Sequence, residues 1–166
     1  MSTSSFLDKT IDGLNSKGFI LEYILDSYNE HNIVIDANNA LEVVKYLNSE
    51  LGYNFLVDLT GSHYPDKENQ EYQVVFHIQN LVENTRLRFK SNLSKDQMVF
   101  PSLTPVFSAS NWMERETFDF FGIQFTGHPD LRRILNVDDM DYHPMRKEYA
   151  LEDETRRDKN DTFFGR

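Results

Sequence analysis

The carboxylates between positions 112 and 121 are the first candidates for chemistry in this sequence. Glu114, Arg115, Glu116 and Asp119 lie there among large apolar side chains. Glu116 and Asp119 could act as a general acid and base or as metal ligands. No histidine stands beside them at the spacing of an HExxH or ExxH motif. Charges set among apolar groups need partners, so we favour a polar cluster in which Arg115 bridges Glu116 and Asp119.

A helix over residues 109–121 is predicted to position these groups. Asn111 and Glu114 have the spacing of a capping box, and Gly122 is placed to end the helix. Residues three and four apart share a helix face, which predicts one charged face and one apolar face. These faces comprise Trp112, Arg115, Glu116 and Asp119 on one side and Met113, Thr117, Phe120 and Phe121 on the other.

The histidines and cysteines give little support for a metal centre. The five histidines are scattered, and none forms a pair at helical or strand ligand spacing. His128 and His143 each precede a proline, which favours extended backbone and predicts rigid corners. The sequence contains no cysteine, so it lacks the thiolates of conventional iron–sulfur and Cys-type zinc sites. Any redox chemistry is therefore expected to belong to a neighbouring protein.

Length and charge limit the remaining classes of function. The 166 residues suit one ordinary domain with an extension, and 39% hydrophobic residues is a globular value. A net charge of −10 disfavours binding to nucleic acid or to an anionic membrane surface. No apolar run is long enough to cross a bilayer, and the N-terminus lacks the pattern of a secretory or mitochondrial signal. We expect a bacterial cytoplasmic protein.

The order of predicted elements indicates an α+β fold. Two N-terminal helices pack on a mostly antiparallel mixed sheet, and a helix and an extended C-terminal arm follow. The division is an α+β domain over 1–107, then the charged helix and an extended, subunit-contacting arm over 108–166. The helices are expected near residues 7–14, 38–51 and 109–121, and the strands at 19–28, 32–36, 55–61, 71–79 and 85–90.

One sheet face is expected to be basic, because Arg86, Arg88 and Lys90 alternate with Leu87 and Phe89. Such a face could meet an acidic partner. A solvated sheet face is the simpler interpretation.

These motifs resemble the signature of the 30 kDa subunit family of proton-pumping NADH:quinone oxidoreductase, respiratory complex I, whose bacterial subunit is designated by the letter C. The signature reads Glu-Arg-Glu, then Asp, two apolar residues, His, a basic residue and two aliphatic residues at fixed intervals. Here these positions are occupied, with every interval kept, by Glu114, Arg115, Glu116, Asp119, Phe120, Phe121, His128, Arg132, Ile134 and Leu135. Downstream, residues 143–149 (HPMRKEY) resemble the HPLRKDY run of the family.

The resemblance implies a peripheral, non-catalytic subunit on the cytoplasmic side of the bacterial inner membrane. Its partners would be the quinone-site subunit (designated D), with the two iron–sulfur subunits (designated B and I) nearby. The complex would use FMN, iron–sulfur clusters, NADH and a quinone, none of them bound by this chain.

The side chains expected to form the subunit interface come from the charged helix and the arm. They are Trp112, Glu114, Arg115, Glu116, Asp119, Phe120, Phe121, His128, Arg132, Arg133, His143, Arg146 and Lys147. The phenylalanines would anchor the arm by apolar burial. Arg132, Arg133, Arg146 and Lys147 would pair with carboxylates of the partner. The role of Phe163 and Phe164 stays open.

Two alternatives remain at this point. The first is the equivalent subunit of a related membrane-bound [NiFe] hydrogenase or formate hydrogenlyase, whose large subunit would carry four nickel-ligating cysteines. The second is a stand-alone metal hydrolase that uses Glu114, Glu116, Asp119 and His128.

Overall fold

The computed structural model describes residues 3–28 and 30–149, with side chains from Phe6 onward. Phe163 and Phe164 therefore lie outside the described residues. The elements in chain order are α1 (Thr3–Ser16), β1 (Glu22–Leu25), β2 (His31–Val34), a short 3-10 helix (Ala37–Asn39), α2 (Ala40–Leu51), β3 (Phe55–His63), β4 (Tyr72–Asn80), β5 (Thr85–Leu93), β6 (Val99–Pro101), α3 (Ser110–Phe121) and β7 (Gln124–Thr126).

Five strands form a mixed sheet in the order β1-β2-β5-β4-β3. Neighbours pair antiparallel except β2 and β5, which are parallel because α2 and two further strands separate them in the chain. Three helices with this sheet confirm the predicted α+β class. Within the described residues, no helix is long and apolar enough to cross a membrane.

The apolar core lies on one face of the sheet. Alternate residues of β4 and β5 point to that face, so Val74, Phe76, Leu87 and Phe89 are fully buried. Val44, Leu47 and Leu51 of α2 belong to the same buried cluster, and Leu41 packs against it half-buried. Gly52 ends α2 in the left-handed conformation that glycine adopts without steric cost.

Two short strands were not predicted from the sequence. β6 and β7 pair in parallel, and their pairing joins the chain before α3 to the chain after it. Ile123 and Phe125, expected to lie in an extended arm, are buried in the core. Three-residue strands carry too little periodicity to be recognised, and their pairing depends on contacts distant in sequence. The division between residues 107 and 108 stays a prediction.

Helix α3 packs directly on β3 at a glycine. A Cβ atom built on Gly61 would lie 2.8 Å from Phe121 Cδ2 and 3.1 Å from Thr117 Cγ2. The absence of a side chain at Gly61 therefore lets α3 approach the sheet closely enough to bury Phe121 in the core.

Substitution of Gly61 tests this close approach. We expect Gly61→Ala to lower the free energy of unfolding by about 1–3 kcal/mol, because the added methyl group must displace the Phe121 ring. Urea unfolding followed by circular dichroism measures the change. Thr60→Ala, at the exposed neighbouring position of β3, is the matched control. Equal stability of the Gly61 variant and wild type would contradict the proposed packing.

Candidate functional site

The carboxylate of Asp119 organises the segment that follows α3. Its Oδ2 atom accepts hydrogen bonds from three successive backbone N–H groups, those of Ile134, Leu135 and Asn136, at 3.1, 2.9 and 2.9 Å. Its Oδ1 atom accepts from Arg133 Nη1 at 2.7 Å and from Asn136 Nδ2 at 3.0 Å. Asp119 therefore folds residues 133–136 around the C-terminal half of α3.

Asp119 is ionised although it is fully buried. Burial by itself would raise its pKa. The hydrogen bonds from the N–H groups of Asn136 and Leu135, the Asn136 amide and the Arg133 guanidinium outweigh burial and hold the pKa of Asp119 far below its usual range. A buried charge that is paired and fully hydrogen-bonded in this way avoids the cost of isolation.

The predicted bridge from Arg115 to Glu116 and Asp119 is wrong. Arg115 Nε and Nη2 instead donate to the carbonyl oxygens of Arg132 and Arg133, at 3.2 and 3.1 Å. The Arg115 guanidinium also stacks 4.9 Å from the centre of the Trp112 ring. The carboxylate of Asp119 receives Arg133 instead, because the chain after the His128 corner returns along the helix and brings that guanidinium to it.

Arg133, which was expected to pair with a carboxylate of another subunit, forms an ion pair with Asp119 of its own chain. Its side chain is only 11% exposed. Besides Asp119, it donates from Nη2 to the carbonyl oxygens of Met140 and Tyr142, at 2.7 and 3.1 Å. One guanidinium thus holds α3 and residues 140–142 together.

Residues 143–149 form hydrogen bonds to both α3 and the sheet. His143 Nδ1 donates to the backbone carbonyl of Asp119 at 2.9 Å, and Arg146 Nε donates to that of Phe121 at 2.8 Å. The backbone N–H of Lys147 donates to His63 Nδ1 at 2.9 Å. Arg146 therefore also bonds within the chain, and its expected contact with a partner stays a prediction.

Gly122 makes this approach of residues 143–149 possible. Its φ of +80° ends α3 in the left-handed conformation. A Cβ atom at this position would also lie 2.7 Å from the His143 ring and collide with the Arg146 guanidinium. The end of α3 and the packing of residues 143–149 against it therefore both require glycine at position 122.

Glu114 and His128 connect α3 to other neighbours. Glu114 is fully buried, and its Oε1 atom accepts from the Leu103 N–H at 2.7 Å and from the Ser110 hydroxyl. His128 Nε2 donates to the carbonyl of Asn111 at 3.1 Å, close to the start of α3. The predicted corner at His128 thus contacts the helix.

The three carboxylates of the predicted cluster occupy different environments. Both carboxylate oxygens of Asp119 accept hydrogen bonds, Glu114 accepts one from the turn at Leu103, and Glu116 is exposed. Among residues 3–28 and 30–149, no group of three or more metal-ligating side chains is close enough to hold an ion. This arrangement suits a structural role for the helix.

Several predicted contact residues do face solvent. Trp112 is 61% exposed, and Glu116, Arg132 and Lys147 are exposed as well. Phe120 is half-buried, whereas Phe121 belongs to the core of this chain. The exposed apolar residues of this segment that were not among the predicted contact residues are Leu135, Val137, Tyr142, Met145 and Tyr149. Contiguous groups of exposed apolar side chains mark contact sites in many proteins, so this segment is a candidate for one.

Two of the three cations on the basic face of β5, Arg86 and Arg88, are paired within the chain. Arg88 forms ion pairs with Asp26 and Glu30, and its Nε donates to His77 Nε2 at 2.8 Å. Arg86 pairs with Glu30 at 3.4 Å. Asp26 and Glu30 flank the turn between β1 and β2, and no local pattern reveals that this turn lies beside β5.

Comparison with known proteins gives consistent matches. A family model described as the 30 kDa subunit of respiratory-chain NADH dehydrogenase matches residues 33–155. The NADH-quinone oxidoreductase subunit designated C from Caulobacter sp. (strain K31) is 42% identical over 139 residues, which cover 82% of this chain and 64% of the relative. The Moorella thermoacetica protein of the same name is 40% identical over 74% of this chain and 81% of its own length. The chain thus spans less than two thirds of the Caulobacter relative.

Two solved structures share the fold. A trypsin-resistant fragment of Nqo5 superposes with a TM-score of 0.68 and 25% identity, covering 76% of this chain and 99% of the fragment. A chain of the archaeal membrane-bound sulfane sulfur reductase, a respiratory membrane complex, gives a TM-score of 0.74 at 18% identity, covering 89% of this chain and 85% of its own length. The second likeness is evidence of fold alone.

Substitution of Asp119 tests its organising role. We expect Asp119→Asn to lower the free energy of unfolding by about 3–5 kcal/mol, because it leaves the Arg133 charge buried without its partner. Hydrogen exchange at the amides of Ile134, Leu135 and Asn136 should accelerate. Because the folded pKa of Asp119 is lowered, its contribution is present above its ordinary pKa of 3.8 and is lost as pH falls through the folded value.

Urea unfolding at neutral and acidic pH measures this effect. The difference between wild type and Asp119→Asn should shrink as the pH falls below the ordinary range of carboxyl groups. Glu116→Gln, which removes an exposed carboxylate from the same helix, is the matched control. Unchanged exchange at residues 134–136 in the Asp119 variant would show that other contacts hold the segment.

Proposed function

This chain belongs to the family of the 30 kDa subunit of respiratory-chain NADH dehydrogenase, and we propose that it is a non-catalytic member of that kind. In this role it assembles and stabilises the peripheral arm of a proton-translocating NADH:quinone oxidoreductase. The single observation that carries the proposal is the family match over residues 33–155, which includes α3 and the segment that Asp119 holds against it.

The bonding of the charged residues supports an assembly role. Asp119, Arg133, Arg115 and Arg146 all use their charged groups to bind other parts of this chain. They therefore hold α3 and residues 130–149 in one shape before any partner arrives. A preformed surface loses less conformational entropy on binding than one that must become ordered.

The proposed partner surface consists of Trp112, Glu116, Leu135, Val137 and Met145, which we call the contact surface. Trp112, Leu135, Val137 and Met145 expose 61, 67, 62 and 51% of their area. Exposed tryptophan in such a setting is the residue type that most often dominates binding energy. Arg132 and Lys147, both exposed, would supply charged contacts at the rim. We propose the quinone-site subunit as the main partner, with the two iron–sulfur subunits nearby.

Cofactors and location follow from the same proposal. FMN, the iron–sulfur clusters, NADH and the quinone would be bound by other subunits. The chain would lie on the cytoplasmic side of the bacterial inner membrane, attached through its partners. Electrons would pass through neighbouring subunits while this one maintains their arrangement.

Affinity purification from a native membrane extract tests the parent complex. Recovery of a quinone-site subunit together with NADH-oxidising subunits supports the proposal, and recovery without a quinone-site subunit would falsify it. A co-purifying large subunit with four nickel-ligating cysteines would instead indicate a [NiFe] hydrogenase or formate hydrogenlyase. This alternative is kept because the same fold occurs in the sulfane sulfur reductase, a different kind of membrane complex.

Variants of the contact surface test how the chain binds. We expect Trp112→Ala combined with Leu135→Ser to weaken association with the neighbouring subunits at least thirtyfold, because loss of a central tryptophan typically costs about 2 kcal/mol or more. Stability of the isolated chain should change by less than about 1 kcal/mol, since both side chains are mostly exposed. Quantitative mass spectrometry of co-purified subunits measures association.

Val82→Ser is the matched control, because Val82 is 85% exposed and lies in the turn between β4 and β5. It should leave co-purification unchanged. Equal loss in the control and the double variant would mean that exposed apolar area in general, and not the contact surface, determines recovery.

A further inference from the structure

A second carboxyl group is buried in α3, and its surroundings are unlike those of Asp119. Glu114 is 0% exposed. Its Oε1 atom accepts hydrogen bonds from the Leu103 N–H and from the Ser110 hydroxyl. Its Oε2 atom is also buried, and among the described residues nothing donates to it. One oxygen of this carboxyl is thus satisfied, and the other is enclosed without a donor.

The cations nearest in sequence do not neutralise Glu114. Arg115, the next residue, directs its guanidinium to the carbonyl oxygens of Arg132 and Arg133 and to the Trp112 ring. Of the ion pairs formed by described residues, none includes Glu114. An ionised carboxylate in this position would be a buried charge without a counterion, which is among the most costly arrangements in a protein.

The other groups that face Glu114 are polar and uncharged. Ser110 lies on α3 itself, and Ser102 and Leu103 come from the turn after β6. From the segment after β7, His128 is the titratable group that acts on Glu114. The ring nitrogens of His128 bond to the carbonyl of Asn111 and to the N–H of Asp130, so both are engaged by groups other than Glu114.

We propose that Glu114 keeps its proton in the folded protein at neutral pH. As a neutral acid it links α3 to residues 102–104 by hydrogen bonds. The neutral acid keeps both hydrogen bonds to Oε1 and avoids a buried, unpaired charge. Folding of the chain then takes up a proton, which the unfolded chain at neutral pH lacks.

The factors that set the pKa of Glu114 agree with this geometry. Burial raises the pKa of Glu114, and the hydrogen bonds from Ser110 and Leu103, together with the nearby Ser102 hydroxyl and His128, only partly oppose it. Asp119, one and a half turns later on the same helix, has the reverse outcome because an arginine and backbone N–H groups surround it. Two carboxyl groups in one helix thus hold opposite protonation states.

The proposal predicts how stability depends on pH. A folded pKa above the unfolded one means that the contribution of Glu114 is full below the ordinary pKa of 4.5 and is lost as pH rises through the folded value. Between these two values the unfolding equilibrium constant of wild type, divided by that of Glu114→Gln, should rise roughly tenfold per pH unit. Glutamine mimics the shape of the neutral acid, so it provides the pH-independent reference.

Urea unfolding of the full chain from pH 5 to pH 9 measures this ratio. The matched control is Glu116→Gln, which removes the exposed glutamate two residues further along and should give a constant ratio. Carbon-13 NMR of the glutamate carboxyl carbons in wild type reads the protonation of Glu114 directly and does not depend on the variant folding. The Glu114 carboxyl resonance is assigned in wild type through its carbon–carbon couplings to the rest of the same residue.

A protonated carboxyl signal for Glu114 at pH 7, with a pH-dependent stability ratio, supports the proposal. A carboxylate signal at pH 7 overturns it. A stability ratio that stays constant from pH 5 to pH 9 overturns it as well, because folding would then take up no proton at this position.

Discussion

Ionised Asp119 is the constraint on which the C-terminal part of this structure depends. A carboxylate buried in a helix must receive donors, and here they come from Arg133 and from consecutive N–H groups at residues 134–136. Satisfying one charge therefore determines the course of the chain that follows. Arg133, placed in this way, binds residues 140–142, and His143 and Arg146 bond to carbonyls of α3.

The charged motif around α3 combines two kinds of residue. Most of its charges act inward and make the helix and the following segment one unit, whereas its exposed side chains belong to the proposed contact surface. Trp112 belongs to both groups, because its ring stacks on Arg115 and most of its area still faces solvent. Residues that define a family motif can therefore shape an interface without touching the partner.

The face of the sheet that points away from the core also carries charges that are paired within the chain. Arg86 and Arg88 are paired with Asp26 and Glu30, so two of the three cations of the predicted basic face are neutralised within the chain. With a net charge of −10, such pairing inside the chain leaves a predominantly acidic exterior. The acidic exterior disfavours polyanionic partners such as nucleic acid.

The sequence by itself determined the fold class, the helices, the longer strands and the family, because these depend on local periodicity and on motif spacing. Strands β6 and β7, the pairing of Asp119 with Arg133 and the protonation of Glu114 were decided only by the tertiary structure. Arg115 illustrates the reason. Neighbouring residues made it the expected partner of Asp119, yet a chain that folds back from fourteen residues away brings a second guanidinium to that carboxylate. Spacing along a helix limits which side chains can pair. The path of the rest of the chain determines which of the possible pairs forms.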